Sequence, residues 1–324
     1  MLERSLEQVD SRLADPGPKI VQTVRSPSSS LALLAGWFSF PGGGATFGDT
    51  ESLRVATLWL DRAGIPYDIA AHPSSSLIGL DFDRLDPRPY THFLFVCGPW
   101  GASRHNKLLD RFRHCRTVGV NLSIERDHHG FDAILPRDFQ GTVNPDLAFA
   151  SEIPSLPVAG VILASRQRQY KERQRHERVE KILEQYLHQN EVVPIYLDTS
   201  HSNNKAGVAT AFQFAHLIGK MDVVISTRLH GMIFALKRGT PVVAIDAVAG
   251  GAKVAAQAKA LGWPVVLSGD DVTEESLAAA VRLCLSGTLA GTIGTVQTNA
   301  LERLAAMEGE FIDMVRADPS KADR

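Results

Sequence analysis

Apolar residues gather in short runs separated by stretches of helical period, and this alternation organises the whole chain. LALLAGWF (31–38) predicts a buried strand, followed by the glycine-rich turn PGGGATFG and a helix from Asp49 to Ala63. YDIAAH (67–72) and HFLFVCG (92–98) predict further strands. RHNKLLDRFRHC then has helical spacing, and TVGVNL is a short strand. The stretch NPDLAFASEIPSLP (144–157) has no sustained period and three prolines, so it ends a first domain covering 1–153. The second domain, 154–324, opens on the strand VAGVILAS and repeats the pattern. It continues with a long polar helix (167–190), the strand VVPIYLD, a helix to Lys220 and the strand DVVIS. A helix to Lys237, the strand PVVAID and a helix over 251–262 follow. TNALERLAAMEGEFIDMV is an amphipathic helix expected to cross back and brace the first domain.

Strands of this length alternating with helices require parallel sheets, because each parallel connection needs about a dozen residues, usually a helix. The expected fold class is therefore α/β, with two Rossmann-like domains facing a cleft. In such sheets ligands bind beyond the carboxyl ends of the strands. The loops after Phe38, Cys97, Ser165, Asp198, Ser226 and Asp246 are thus the places to look for chemistry.

Composition narrows the choice of function. The chain has 324 residues, 44% hydrophobic and 22% charged, which suits two ordinary globular cores. A formal net charge of -2 provides no general field for nucleic acid. The arginine-rich stretch SRQRQYKERQRHERVEKILEQYLHQ interleaves Glu172, Glu177 and Glu180 at helical spacing, the pattern of a solvated helix face. No nucleic-acid partner is expected. Cys97, Cys115 and Cys284 are too far apart for a zinc knuckle or a redox pair, and His128 with His129 has no ligand partner at suitable spacing, so no metal is expected. The N-terminal residues carry no apolar run of signal-peptide length, and no stretch has the length of a spanning helix. These features suggest a cytoplasmic protein with at most peripheral contact with the inner face of a membrane. Gly42, Gly44 and Gly48 form GxGxxxG, one residue longer than the dinucleotide fingerprint, and no acidic residue ends the following strand.

The most informative segment is MDVVISTRLHGMIFALKRGTPVVAID, which puts Ser226, Thr227, Arg228 and His230 at a strand-to-helix junction. Free amides and the helix dipole favour an anion there, an arginine fork matches phosphate or carboxylate, and a histidine can move a proton. The same residues also admit a structural reading. Arg228 can pair with a carboxylate of the other domain, His230 can be a satisfied core histidine, and Ser226 or Thr227 can cap the helix. Asp49 likewise reads either as a helix cap or as a proton acceptor facing the cleft.

STRLHGMIFALKRGTPVVAI, followed by the glycine-flanked Lys253, resembles the signature of the polysaccharide pyruvyl transferase family. Weaker similarity lies in FGDTESLRVATLWLDRAGIP, THFLFVCGPWG, ILPRDF and NPDLAF. The resemblance implies a GT-B-like glycosyltransferase architecture and a transferase of polysaccharide or exopolysaccharide biosynthesis. It further implies phosphoenolpyruvate as donor substrate, no cofactor, and a ketal formed on hydroxyls of a saccharide or lipid-linked saccharide. It assigns catalysis to Arg228, His230 and Asp49, and donor binding to Ser226, Thr227, Arg228, His230, Gly231, Lys253 and Arg166 or Arg168. Gly48, Asp49 and Gly98 fall on the acceptor side. A nucleotide-sugar glycosyltransferase and a non-catalytic binding module on the same fold are the alternatives.

Overall fold

The computed structural model describes residues 30–316, apart from 43, 76, 102, 126–128, 165–167 and 201–206. The chain divides between Ile153 and Pro154 into two compact units.

The first unit contains β1 (Ala32–Ala35), α1 (Phe47–Ala63), β2 (Tyr67–Ile69), β3 (His92–Trp100), α2 (Ser103–Arg111), β4 (Arg116–Ile124), β5 (Ala133–Phe139) and β6 (Thr142–Val143). The strands form one sheet in the order β2-β1-β3-β4-β5-β6, parallel except for the β5–β6 pair. Successive strand residues point to opposite faces, so the sheet buries a layer on each side. Leu33, Phe93 and Phe95 pack with Phe112, Trp100 and Phe131 on one face, where the rings of Phe93 and Phe112 stack at 4.2 Å. Leu34 and Val96 pack with Leu53, Val55 and Ile69 on the other.

β1 is shorter than the apolar run that predicts it. After Ala35 the chain leaves the sheet at Gly36 and makes a 3-10 turn over Trp37–Ser39. The Ser39 hydroxyl accepts from Gly36 N and donates to the carbonyl of Ala70, which fixes the turn.

The second unit contains β7 (Val158–Ile162), α3 (His176–Gln189), β8 (Val193–Tyr196), α4 (Ala211–Ile218), β9 (Val223–Ser226), α5 (Leu229–Arg238), β10 (Val242–Asp246), α6 (Lys253–Leu261), β11 (Val266–Ser268), α7 (Glu274–Leu285) and α8 (Ala290–Arg316). The sheet order is β11-β10-β9-β7-β8, and every pair is parallel. Every residue of β9 and β10 is buried, as continuous apolar strands covered on both faces should be. Both units are thus Rossmann-like, and the α/β class read from the alternation holds.

The polar helix predicted over 167–190 begins only at His176. Before it, Arg168–Arg173 forms a 3-10 turn broken at Lys171, whose φ of 45° lies in the left-handed region. Arg175 N donates to Ala247 O, Ala249 N donates to Arg173 O, and Gln174 bridges Val248. Backbone committed to the loop after β10 cannot also follow a helical path.

α8 buries Ile293 and Val296 in the core of the second unit, and Gln297 Nε2 donates to Leu236 O at 2.7 Å. Its later apolar residues, among them Leu301, Leu304, Met307 and Phe311, are exposed. No single helix among the described residues is long and apolar enough to cross a membrane.

Candidate functional site

In each unit the strand order reverses beside its first strand, between β1 and β3 and between β7 and β9, and this is where open α/β sheets hold ligands. The two reversal points are built differently.

In the first unit several side chains at the carboxyl edge are engaged within the unit. α1 begins at Phe47 with Thr46 as N-cap. The Asp49 carboxylate, only 8% exposed, accepts from Thr46 N at 2.7 Å and from Thr46 Oγ1 at 2.8 Å, while Asp49 N donates back to Thr46 Oγ1. This reciprocal box satisfies the free donors of the first turn. Asp49 is therefore the third residue of the helix, engaged through Oδ2, rather than a residue preceding it. Gly48 is exposed beside it. Gly98, at φ 90°, lies under the Trp37 ring, and a Cβ added there would sit 2.2 Å from Trp37 Nε1. Only glycine allows that approach. Its neighbour Cys97 also has positive φ (63°), and Asn121 on β4 matches it at 55°. The Asn121 amide is engaged at both ends, with Nδ2 donating to Pro145 O and Oδ1 accepting from Leu147 N. Burial raises the Cys97 thiol pKa, with the carboxylates of Asp49 and Asp146 adding to the rise.

In the second unit β9 delivers Ser226, Thr227 and Arg228 to the start of α5. Ser226 is fully buried, and its hydroxyl accepts from Arg228 N at 3.1 Å while lying 2.9 Å from Arg228 O and 3.3 Å from Ile162 O. Thr227 Oγ1 accepts from Ala164 N at 2.7 Å, and Thr227 N donates to Ile162 O. Both hydroxyls tie β9 to β7. A Cβ on Gly231 would meet Ser226 Oγ at 2.2 Å and Ile162 Cγ2 at 3.1 Å, so this glycine lets α5 press onto the sheet. These three residues, expected among the donor contacts, build the junction and direct no side chain outward.

Arg228 and His230 are what the junction presents. Arg228 is the N-cap of α5 and makes no side-chain cap. Its Nε donates to Leu163 O at 2.8 Å and its Nη2 lies 3.2 Å from Asp198 Oδ1, with both side chains about one-fifth exposed. The carboxylate partner thus belongs to the same unit, not to the other one. Nη1 has no hydrogen bond among the described residues and remains available. His230 is exposed, in the first turn of α5, rather than a core histidine. Lys253 is exposed at the first position of α6. Arg166 lies outside the described residues, and Arg168 opens the 3-10 turn before α3. His128 is also outside them, whereas His129 Nδ1 accepts from Phe131 N.

Two residues that the sequence reading left unassigned shape this edge. Asp246 ends β10 with 3% exposure. Its Oδ1 accepts from Val248 N, and its Oδ2 accepts from Ala252 N at 2.7 Å and Ala255 N at 2.8 Å. A carboxylate of the chain itself therefore fills the anion position at the start of α6. His176 is the first residue of α3, 9% exposed, with Nδ1 sealed and without a partner. Burial lowers its pKa below the ordinary histidine value. Asp246 opposes that shift, and Arg228 and Lys253 reinforce it. The sequence holds a signal for Asp246, a carboxylate at the end of an apolar parallel strand before a glycine-rich loop. His176 is hidden in a run that reads as solvated.

Among the described residues, no group of three or more His, Cys, Asp and Glu side chains is placed to hold a metal ion.

Residues 126–247 match the family model described as Polysaccharide pyruvyl transferase, in agreement with the resemblance carried by the β9–α5 segment. The match includes Ser226 to Gly231 and excludes Asp49, Gly98 and Lys253. No curated relative matches the chain. Solved structures with likeness to it include a calicheamicin glycosyltransferase, at 13% identity, covering 90% of this chain and 100% of that chain with a TM-score of 0.35. The UDP-GlcNAc 2-epimerase from Methanocaldococcus jannaschii has 10% identity, 80% and 93% coverage and a TM-score of 0.30. A spinosyn rhamnosyltransferase complexed with thymidine diphosphate has 10% identity, 83% and 95% coverage and a TM-score of 0.32.

Proposed function

We propose that the protein is a transferase that moves the pyruvyl group of phosphoenolpyruvate onto two hydroxyls of a saccharide or lipid-linked saccharide, forming a cyclic ketal and releasing phosphate. The observation that carries this reading is the pairing of Arg228 and His230 at an α5 N-terminus without a side-chain cap, inside the segment that matches the family. Phosphoenolpyruvate carries a phosphate and a carboxylate, and the available Nη1 of Arg228 with the first-turn amides of α5 suits one of them. Lys253 adds a second cation, and the donor enters as a substrate, with no cofactor.

The chemistry needs a proton on the methylene carbon of the donor, which converts it to a methyl group and leaves cationic character at C2. One acceptor hydroxyl adds at C2, the C2–O bond to phosphate breaks, and the second hydroxyl closes the ketal. One hydroxyl proton balances the new methyl group, and the other leaves with phosphate. His230 is the exposed group nearest in chain to Arg228 that can carry a proton at neutral pH, a role contributing about 10² to 10⁴ in rate. The acceptor side is assigned to Gly48, Asp49 and Gly98 of the first unit. Asp49 holds its cap through Oδ2 and is not needed as a base if phosphate takes the second proton. Work on lipid-linked or exopolysaccharide intermediates, in the cytoplasm or at the inner membrane face, fits the same reading.

The test is acceptor-dependent phosphate release from phosphoenolpyruvate across a panel of saccharide and glycolipid acceptors. Arg228→Lys cannot both hold Leu163 O and Asp198 and offer a planar edge to the donor, so kcat/KM should fall about 100-fold or more. His230→Ala should lower kcat by a similar factor. Full activity in Arg228→Lys removes the site assignment, and saturable binding of a nucleotide sugar without phosphoenolpyruvate turnover replaces the reading with glycosyl transfer.

A further inference from the structure

At the carboxyl edge of the second unit the strands lie in the order β10-β9-β7-β8, and β10 ends on one aspartate while β8 leads into another. The two begin alike. Asp246 Oδ1 accepts from Val248 N, and Asp198 Oδ1 accepts from Ser200 N at 2.7 Å, so each closes its own turn two residues on. They then diverge. Asp246 gives its other oxygen to the amides of Ala252 and Ala255 and is buried, whereas Asp198 faces a guanidinium and stays about one-fifth exposed. Closing the turn needs one oxygen and does not account for the ion pair.

The Arg228 side chain has a definite course over the sheet. It leaves the end of β9, donates from Nε to Leu163 O just past β7 at 2.8 Å, and brings Nη2 to Asp198 just past β8, 3.2 Å from Oδ1 and 3.3 Å from Oδ2. Because β7 lies between β9 and β8, the side chain is stretched across the mouth of β7 and fastened beyond it. Leu197 N donates to Val161 O, and Ser200 N holds the carboxylate, so Asp198 is the fixed member of the pair. A free arginine loses side-chain entropy when a ligand orders it. Here the ordering precedes the ligand, and Nη1 is the group left to meet an anion.

The same carboxylate changes the charge that the anion meets. Opposite charges 3.2 Å apart present a small net charge to a third group. A phosphate at Nη1 gains a directed hydrogen bond and is repelled by Asp198 behind it. Such an arrangement orients a phosphorylated ligand without gripping free phosphate. In a reaction that releases phosphate this combination favours turnover, because binding donor and product equally tightly adds nothing to kcat.

We propose that Asp198 is a positioning residue that fixes the plane of the Arg228 guanidinium, so that Nη1 meets the donor, and that weakens the hold of this cation on product phosphate. The proposal rests on the donor reading above for its reaction, while its anion chemistry applies to any phosphorylated ligand of Arg228. Asp198 acts through Arg228 and carries no proton in the step.

The experiment compares wild type, Asp198→Asn, Arg228→Lys and the double variant in phosphoenolpyruvate turnover and in calorimetry with inorganic phosphate. Asparagine keeps the shape and an oxygen for Ser200 N, so the substitution removes the charge and leaves the turn. In Asp198→Asn kcat should fall about tenfold with no rise in KM, and inorganic phosphate should bind about tenfold more tightly. A merely structural role would weaken both. On the Arg228→Lys background the same change should lower kcat less than about twofold, because the fork that Asp198 orients is gone. Unchanged kcat in folded Asp198→Asn, phosphate binding that is unchanged, weaker or undetectable in it, or an equal loss of kcat on both backgrounds overturns the proposal. Should Asp198→Asn fail to fold, guanidinium NMR of wild type decides instead. The resonance missing from Arg228→Lys must then show hindered rotation about the Nε–Cζ bond before any ligand is added, and free rotation overturns the proposal. Tighter phosphate binding by Asp198→Asn without phosphoenolpyruvate turnover in wild type upholds the role of Asp198 while removing pyruvyl transfer. Full turnover in Asp198→Asn does the reverse.

Discussion

The two units share the order of their first five strands yet differ at the edge where chemistry is expected. In the first, several polar groups at the reversal point are engaged within the unit, Asp49 with Thr46, Ser39 with backbone of Gly36 and Ala70, and Asn121 with backbone of Pro145 and Leu147, although Ser52 Oγ on α1 is buried without a hydrogen-bond partner among the described residues. Trp37 covers the glycine at the end of β3. In the second, the hydroxyls are turned inward to brace the strands, and the charged groups are left facing out or held in suspense. Arg228 is tethered at Nε and Nη2 with Nη1 available, His230 and Lys253 are exposed, and His176 is buried with an unsatisfied nitrogen. Topology brings loops to an edge, but only the pairing of local donors and acceptors decides whether that edge can take a ligand.

The largest expected effects test how closely each edge is packed. Gly98→Ala puts a Cβ into the Trp37 ring at a φ of 90°, and Gly231→Ala drives α5 off Ser226. Overpacking usually costs about 1 to 3 kcal/mol, and the left-handed backbone at Gly98 adds roughly 1 to 2 more. Urea unfolding should therefore show a loss of about 2 to 5 kcal/mol for Gly98→Ala and about 1 to 3 kcal/mol for Gly231→Ala. A loss under about 1 kcal/mol in either would mean that the edge yields and is not the fixed scaffold described.

A smaller contrast separates the two buried carboxylates. Asp246 accepts three backbone N–H groups across two oxygens, whereas Asp49 answers a single capping threonine through one. Asp246→Ala should cost about 3 kcal/mol, since it strands one buried and two part-buried amides, and Asp49→Ala about 1 kcal/mol, the usual worth of a cap. The comparison breaks if Asp49→Ala costs as much as Asp246→Ala. If Asp49→Ala instead abolishes turnover while stability changes little, Asp49 acts in the reaction besides capping its helix.

These differences were unequally legible in the sequence. Parallel α/β architecture follows from apolar runs such as VVIS and VVAID, because a strand covered on both faces has no polar side to show. The junction at Arg228 is legible because strand-to-helix turns place their residues by local rules. Where tertiary bonds override local preference, the pattern misleads. LALLAGWF reads as one strand, but the Ser39 hydroxyl turns the chain after Ala35. SRQRQYKERQRHERV reads as a solvated helix, yet Arg173, Arg175 and Arg178 are bound to backbone or to Asp270 across the loop after β10 and the turn after β11, and His176 is buried among them. Partners about 75 to 95 positions away leave no periodic trace in the segment itself. The inward turn of Ser226 and Thr227 was equally hidden, because a hydroxyl at a helix start has the same sequence signature whether it faces ligand or core.

The smallest expected effect concerns pH and again divides the two edges. His176 is held below its ordinary pKa by burial, with Arg228 and Lys253 adding to the shift and Asp246 opposing it. A histidine with a lowered folded-state pKa binds protons more readily when unfolded, so stability rises with pH between the folded value and the unfolded value near 6.5. Its contribution is complete above about pH 6.5 and is lost as pH falls through the folded value. Urea midpoints measured from about pH 7.5 down to about pH 5 should therefore decline for wild type more steeply than for His176→Gln. Identical pH dependence in wild type and His176→Gln would place the acid sensitivity elsewhere and remove the electrostatic contrast between the two edges.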